Sequence, residues 1–165
     1  MATSRKLFGL CSVLMGSLFA YSASVQLNDP DWYFWFPLYS CACIVNMTNR
    51  TISAKITRQI AVTALWLGIF LFLKVVFQDF VHGIAGFWSL DLSERVVREK
   101  TGSVLVIASM ILQLKASFMP NDPTKKHQRE FSSLVNYGML TLVAFSYMLS
   151  LSFLFFAVQK GEMKF

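Results

Sequence analysis

The chain has 165 residues, long enough for one domain, but 55% of them are apolar and only 15% charged. A water-soluble domain carries about a quarter charged residues, so that composition argues against one. The net charge of +6 is spread over the gaps between apolar runs rather than pooled in one segment. This argues against a nucleic-acid surface and for an integral membrane protein, whose only expected solvent partner is the lipid bilayer.

The first apolar run, Leu7 to Val25, has 19 uncharged residues. A hydrocarbon core about 30 Å thick needs roughly 20 residues of helix, so the run predicts a span. Arg5 and Lys6 ahead of it, with Ser22 and Ser24 at its exit, also fit a cleaved leader. Against cleavage, Ser12, Gly16, Ala20 and Ser24 recur every fourth residue and make a smooth stripe on which a partner helix could pack. The first helix is therefore expected to stay.

Next comes the corner "SVQLNDPDWYFWF". Asn28 and Asp29 before Pro30 favour a turn, because short polar side chains bond nearby backbone amides. Asp31 is placed to cap the following helix. The second predicted span, Trp32 to Met47, opens on Trp32, Tyr33 and Trp35, an interfacial aromatic belt, and contains Pro37. Cys11, Cys41 and Cys43 lie in apolar runs with no His or acid beside them and read as packing residues. Asn46-Met-Thr48 and Asn49-Arg-Thr51 match the glycosylation pattern, which is common by chance.

The third span, Ile60 to Phe77, is broken only by Lys74, expected to snorkel outward. Phe80 to Leu90 is apolar but short, and is expected to lie in the interface. "DLSERVVREK" then reads as a helix start, with Asp91 as cap and Glu94–Arg98 and Arg95–Glu99 as i,i+4 pairs. The fourth span, Thr101 to Phe118, reaches spanning length only if Lys115 snorkels. Asn-Asp-Pro recurs at 121–123, as corner chemistry would. The fifth span, Leu134 to Val158, has 25 residues without a charge. The expected fold is thus a single all-α domain over residues 1–165: a polytopic membrane bundle of about five helices, spanning 7–25, 32–47, 60–77, 101–118 and 134–158.

Placing the N-terminus in the cytoplasm puts nine Lys and Arg inside and six outside, so the positive-inside rule favours that orientation. Two polar clusters then share the outer side. Gln26, Asn28, Asp29 and Asp31 form one; Glu94, Arg98 and Glu99 belong to the other. They are the candidate ligand-binding residues, since polar groups gathered at a membrane mouth mark binding sites and pathways. The bland reading is a capped turn beside a self-paired helix end. No metal or other cofactor is expected, because the oxygens near Asp29 form no full metal motif and His82 and His127 fall on opposite sides. No metalloprotease, dinucleotide, P-loop or nucleophile-elbow signature occurs, and whether the protein is an enzyme is left open. Two function classes remain. The preferred one is an accessory or interaction protein that packs the Ser12–Gly16–Ala20–Ser24 stripe on partner membrane helices. The other is a carrier or enzyme binding a small molecule, lipid headgroup or ion at the outer mouth formed by residues 26–31 and 91–100.

The small-residue first helix running into "SVQLNDPD", followed by an aromatic second helix, resembles the transmembrane protein 220 family. The likeness is specific over residues 16 to 32; "ERVVREKTG" resembles the family's acidic, arginine-containing segment more loosely. The resemblance implies a small polytopic membrane protein that keeps its first helix. It supplies no substrate and no catalytic residue.

Overall fold

A computed structural model of the chain describes residues 2–48, 54–82, 95–117 and 126–159. They form five helices: α1 (Ala2–Gln26), α2 (Trp32–Met47), α3 (Ala54–His82), α4 (Arg95–Ser117) and α5 (Lys126–Gln159). Among the described residues there is no strand. The protein is all-α. Helix α2 covers the same residues as the second uncharged run, whereas α3 and α5 extend well past theirs. Helix formation does not stop at a charge; only burial in hydrocarbon does, so uncharged runs mark the lipid depth and not the helix ends.

Neighbours in sequence pack antiparallel. Gly16 of α1 lies against Met47 of α2, while further along Phe19 stacks near Tyr39 with ring centroids 6.3 Å apart. Gly68 of α3 lies against Ile107 of α4, and Asp79 meets Lys100 further along. Helix α2 also packs on α3 and α4, and α5 closes the bundle against α1 and α4. One end of the bundle holds the 27–31 corner and will be called the corner end. The other holds Lys6, Lys55, Arg58 and Lys115, all exposed, and will be called the basic end.

The core follows helical spacing. Cys11, Met15, Phe19 and Ala23 line α1; Ala61, Ala64, Leu71 and Val75 line α3; Val135, Met139 and Val143 line α5. The outside is apolar too. Trp66, Phe70, Leu73, Phe77 and Phe80 of α3 are all more than half exposed, as are Tyr137, Phe145, Met148, Leu151 and Phe155 of α5. Such continuous apolar faces are untenable in water and natural in lipid.

Three helices are long and apolar enough to cross a membrane alone, over Lys6–Gln26, Lys55–Val81 and Ser133–Ser152. Of the buried polar side chains among the described residues, half belong to α4 (Glu99, Ser103, Ser109 and Gln113); Ser12, Asn46, Asp79 and Ser146 come one each from the other four helices. Helix α2 has 16 residues, a length of about 24 Å. Helix α4 buries a mixed face: Glu99, Ser103, Ser109 and Gln113 are enclosed together with Val97, Leu105, Val106 and Met110, while Val104 and Ile111 face out. Its sequence reads as the weakest span because Lys100 and Lys115 bracket a short uncharged run.

Candidate functional site

The buried polar side chains of α4 meet α2 along one seam. Towards the basic end, Asn46 is the hub. It is fully buried and its Nδ2 donates to Ala42 O at 2.8 Å in its own helix and to Ser109 Oγ at 3.1 Å across the seam. Gln113 Nε2 donates to Asn46 Oδ1 at 3.0 Å and to Ser12 Oγ of α1 at 2.9 Å. One network therefore ties α1, α2 and α4. A polar side chain at lipid depth must find partners within the protein, and here each finds them. Asn46 is consequently no glycan acceptor in this fold: it is wholly enclosed, and Thr48 of the same pattern turns its hydroxyl back onto Ile44 O. Asn49 lies outside the described residues.

Halfway along, Tyr39 of α2 reaches α4 over Gly102. Its hydroxyl occupies the space that a Cβ at 102 would need. Glycine is required there by close approach, not by backbone conformation. Tyr39 also stacks on Trp35, with centroids 6.3 Å apart, so Phe19, Tyr39 and Trp35 form one aromatic column rising to the corner end.

At the corner end the interior is charged. Lys100 Nζ lies 2.7 Å from Asp79 Oδ2, and the pair is largely buried, at 14% and 4% side-chain exposure. Glu99 beside it is 8% exposed. Ser103, one turn on, donates to the backbone carbonyls of Glu99 and Lys100. Two polar atoms at this end are buried without a hydrogen-bond partner among the described residues: Trp35 Nε1 and Gln26 Oε1. Trp35 is wholly buried. A buried donor or acceptor left unmade costs about 1–3 kcal/mol, so both atoms call for a partner.

The seven sequence-derived ligand candidates divide. Gln26 and Glu99 are turned inward; Asp29 and Asp31 are half-buried; Asn28 and Arg98 are exposed. Glu94 lies outside the described residues, as do the side chains of Arg95 and His82. The corner folds as a turn, with Trp32 N donating to Asp29 O at 3.2 Å across Pro30. Asp31 does not cap α2 with its side chain, contrary to the expectation. Its backbone (φ −108°, ψ 27°) departs from the extended form that aims a capping oxygen at the helix amides, and its carbonyl takes Phe34 N instead, at 3.1 Å. Lys74 does not simply snorkel either: its Nζ lies 4.6 Å from the centre of the Phe34 ring, a cation–π contact supplied by the aromatic start of α2.

In the small-residue stripe, Ser12 and Gly16 are buried inside the chain, Ser12 under Gln113 and Gly16 under Met47, whereas Ala20 and Ser24 are exposed. Residues that sequence reasoning missed are Tyr39, Asn46, Asp79, Lys100, Ser109 and Gln113. A signal existed for Asp79. Ala61, Ala64, Gly68, Leu71 and Val75 recur at helical spacing on the buried face, and Asp79 continues that face beyond the end of the uncharged run. The three cysteines are free, Cys11 buried and the other two half-buried, and among the described residues no group of His, Cys, Asp or Glu converges to hold a metal.

A helical bundle with apolar outer faces, three lipid-length helices and a polar internal seam defines an integral membrane protein. The sequence agrees at the level of family: the pattern described as "Transmembrane family 220, helix" matches residues 18–115, more than half of the chain, and the chain belongs to that family. The match takes in the corner, all of α2 and α3 and the whole polar face of α4, and leaves out α5. No curated protein and no solved structure matches.

Proposed function

We propose that the corner end is a binding site for a small polar molecule or a hydroxyl-bearing lipid headgroup, held among α1, α2 and α4. The observation that carries this reading is the pair of orphaned buried atoms, Trp35 Nε1 and Gln26 Oε1. One donates and the other accepts, so a hydroxyl group suits both. Glu99 and the Asp79–Lys100 pair add buried charge at the same end, where ionisable groups in a membrane bundle mark binding or passage. The geometry favours this over the accessory reading because half of the stripe on which that reading stood, Ser12 and Gly16, is already used within the chain. Exposed Ala20 and Ser24 still favour a packing role for the remaining half. The N-terminus is proposed to be cytoplasmic, supported by exposed Lys6, Lys55, Arg58 and Lys115 at the basic end.

Trp35→Phe tests the site. If the indole N–H has no partner, removing it relieves an unmade bond and the protein gains stability, by about 1–3 kcal/mol. If a bound molecule accepts from it, the change costs stability and releases that molecule. Native mass spectrometry of protein purified in mild detergent should therefore show a non-protein mass on the wild type that Trp35→Phe and Gln26→Leu lose. A stabilised Trp35→Phe with no mass lost would sink the proposal.

A further inference from the structure

Tyr39 is held at three points, each on a different residue. Its ring stacks on Phe19 of α1, with centroids 6.3 Å apart and planes 28° apart, and on Trp35 of its own helix, at 6.3 Å and 25°. Its hydroxyl rests on α4, where Gly102 leaves room for it; a Cβ at 102 would also come within 3.2 Å of Tyr39 Cζ. That stretch of α4 is itself anchored, because Lys100, two residues earlier, bonds Asp79 of α3 at 2.7 Å. All three rings are buried, so none has open space to swing into.

Trp35 precedes Tyr39 by four residues and shares its face of α2. Its Nε1–H is the orphaned donor of the corner end. A hydrogen bond depends on direction: it favours an angle above about 150° and weakens steeply below about 120°. Where the indole points therefore decides how well that donor can hold an acceptor. Because the phenol and indole planes are within 25° of each other and packed together, a tilt of one carries the other with it. The contact of the Tyr39 hydroxyl on α4 thus governs the direction of an N–H one turn away.

We infer, resting on the binding proposed for the corner end, that Gly102 and Tyr39 are its positioning residues: the missing side chain at 102 lets the phenol stand where it aims the Trp35 N–H. The Tyr39 hydroxyl acts through its position and makes no bond to the bound molecule.

The test uses the full chain purified in mild detergent with nitrogen-15 in its four tryptophans, the Trp35 indole peak being the one that Trp35→Phe removes. The same samples are weighed by native mass spectrometry for the non-protein mass that co-purifies with the wild type. Gly102→Ala should move the Trp35 peak towards that of an unbonded N–H and lower retention of the mass about fivefold, the effect of one misdirected hydrogen bond. Tyr39→Phe alone should leave both readings at wild-type values, and Tyr39→Phe within Gly102→Ala should restore both. Tyr39→Met, which keeps an apolar side chain but no ring, should lose both. An unmoved Trp35 peak in Gly102→Ala or Tyr39→Met overturns the inference, as does a double variant that restores neither reading. Loss of the mass in Tyr39→Phe alone also overturns it, since the hydroxyl would then be a direct contact. A wild type that carries no such mass sinks the corner-end reading only; movement of the Trp35 peak in Gly102→Ala then still supports the coupling, and no movement overturns it. Tyr39→Phe and Tyr39→Met add no bulk, so that pair decides the matter even if Gly102→Ala fails to fold.

Discussion

Asn46→Ala should unfasten α2 from α4. The side chain is fully buried and makes two kinds of contact across helices: it meets Ser109 at 3.1 Å and receives Gln113 at 3.0 Å. Interhelical hydrogen bonds in membrane proteins average about 0.6 kcal/mol each, so the two bonds alone account for about 1.2 kcal/mol. The larger part is what remains behind. Ser109 loses Asn46, its partner across the helices, while Gln113 keeps Ser12 at 2.9 Å. A stranded buried group adds about 1–3 kcal/mol, giving a total of about 2–4 kcal/mol. Reversible unfolding in mixed micelles, with increasing denaturing detergent, measures this. The sharper assay is a cycle with Gln113→Ala, since the reasoning requires the two residues to couple by at least about 0.5 kcal/mol. Additive single effects, or an Asn46→Ala variant as stable as the wild type, would show that the network is not what fixes α2 against α4. The triple change Asn46→Leu, Ser109→Ala, Gln113→Leu removes all partners together and should cost less than Asn46→Ala, because nothing polar is stranded.

Gly102→Ala should destabilise by about 1–3 kcal/mol, because the added methyl collides with the Tyr39 hydroxyl, and Tyr39→Phe in the same chain should restore most of the loss; both are read by the same unfolding assay. Lys100→Met and Asp79→Leu should each destabilise by removing one half of a largely buried ion pair, while the double variant should lie nearer the wild type; all three are read by the same unfolding assay. Gly16→Leu should weaken the monomer itself, since Met47 Cγ already lies 2.9 Å from a Cβ built there; unchanged unfolding with loss only of an associated protein would reverse that assignment.

The helices were legible in the sequence because lipid enforces a simple rule: a segment in hydrocarbon must satisfy its own backbone, and uncharged runs reveal where. The rule reads the outside of the bundle. It gives little about which faces meet, and there the sequence misled in two ways. The stripe Ser12–Gly16–Ala20–Ser24 is regular at four residues, but a helix turns every 3.6, so its members drift around the axis and only the first two face the interior, Ser12 meeting α4 and Gly16 meeting α2. The lysines that bracket the uncharged run of α4 lowered its apparent fitness as a span, although one of them, Lys100, ties it to α3. Asn46 was visible as a lone amide in an apolar run, yet its partners Ser109 and Gln113 lie 63 and 67 residues away, a pairing that no local pattern carries. For the candidate site, the corner was legible as polar, and Gln26 stood among its candidate ligand-binding residues. Trp35 was read as an interfacial belt residue, because composition cannot distinguish an indole facing headgroups from one enclosed by the bundle.

The two halves of the seam differ in a way that bears on function. Towards the basic end, the amide and hydroxyl groups of Ser12, Asn46, Ser109 and Gln113 close on one another. A closed network resists insertion of anything else, because a ligand would have to break bonds as good as those it could make. At the corner end a tryptophan N–H and a glutamine carbonyl are buried without a hydrogen-bond partner among the described residues, at the same end as the Asp79–Lys100 pair. Stability alone would favour apolar residues at positions 26 and 35, which fill space without stranding a polar atom. Among the described residues nothing completes the tryptophan N–H or the glutamine carbonyl, which is the observation the proposed site rests on. The same physics that makes the Asn46 network structural is what supports the binding proposed for the corner end.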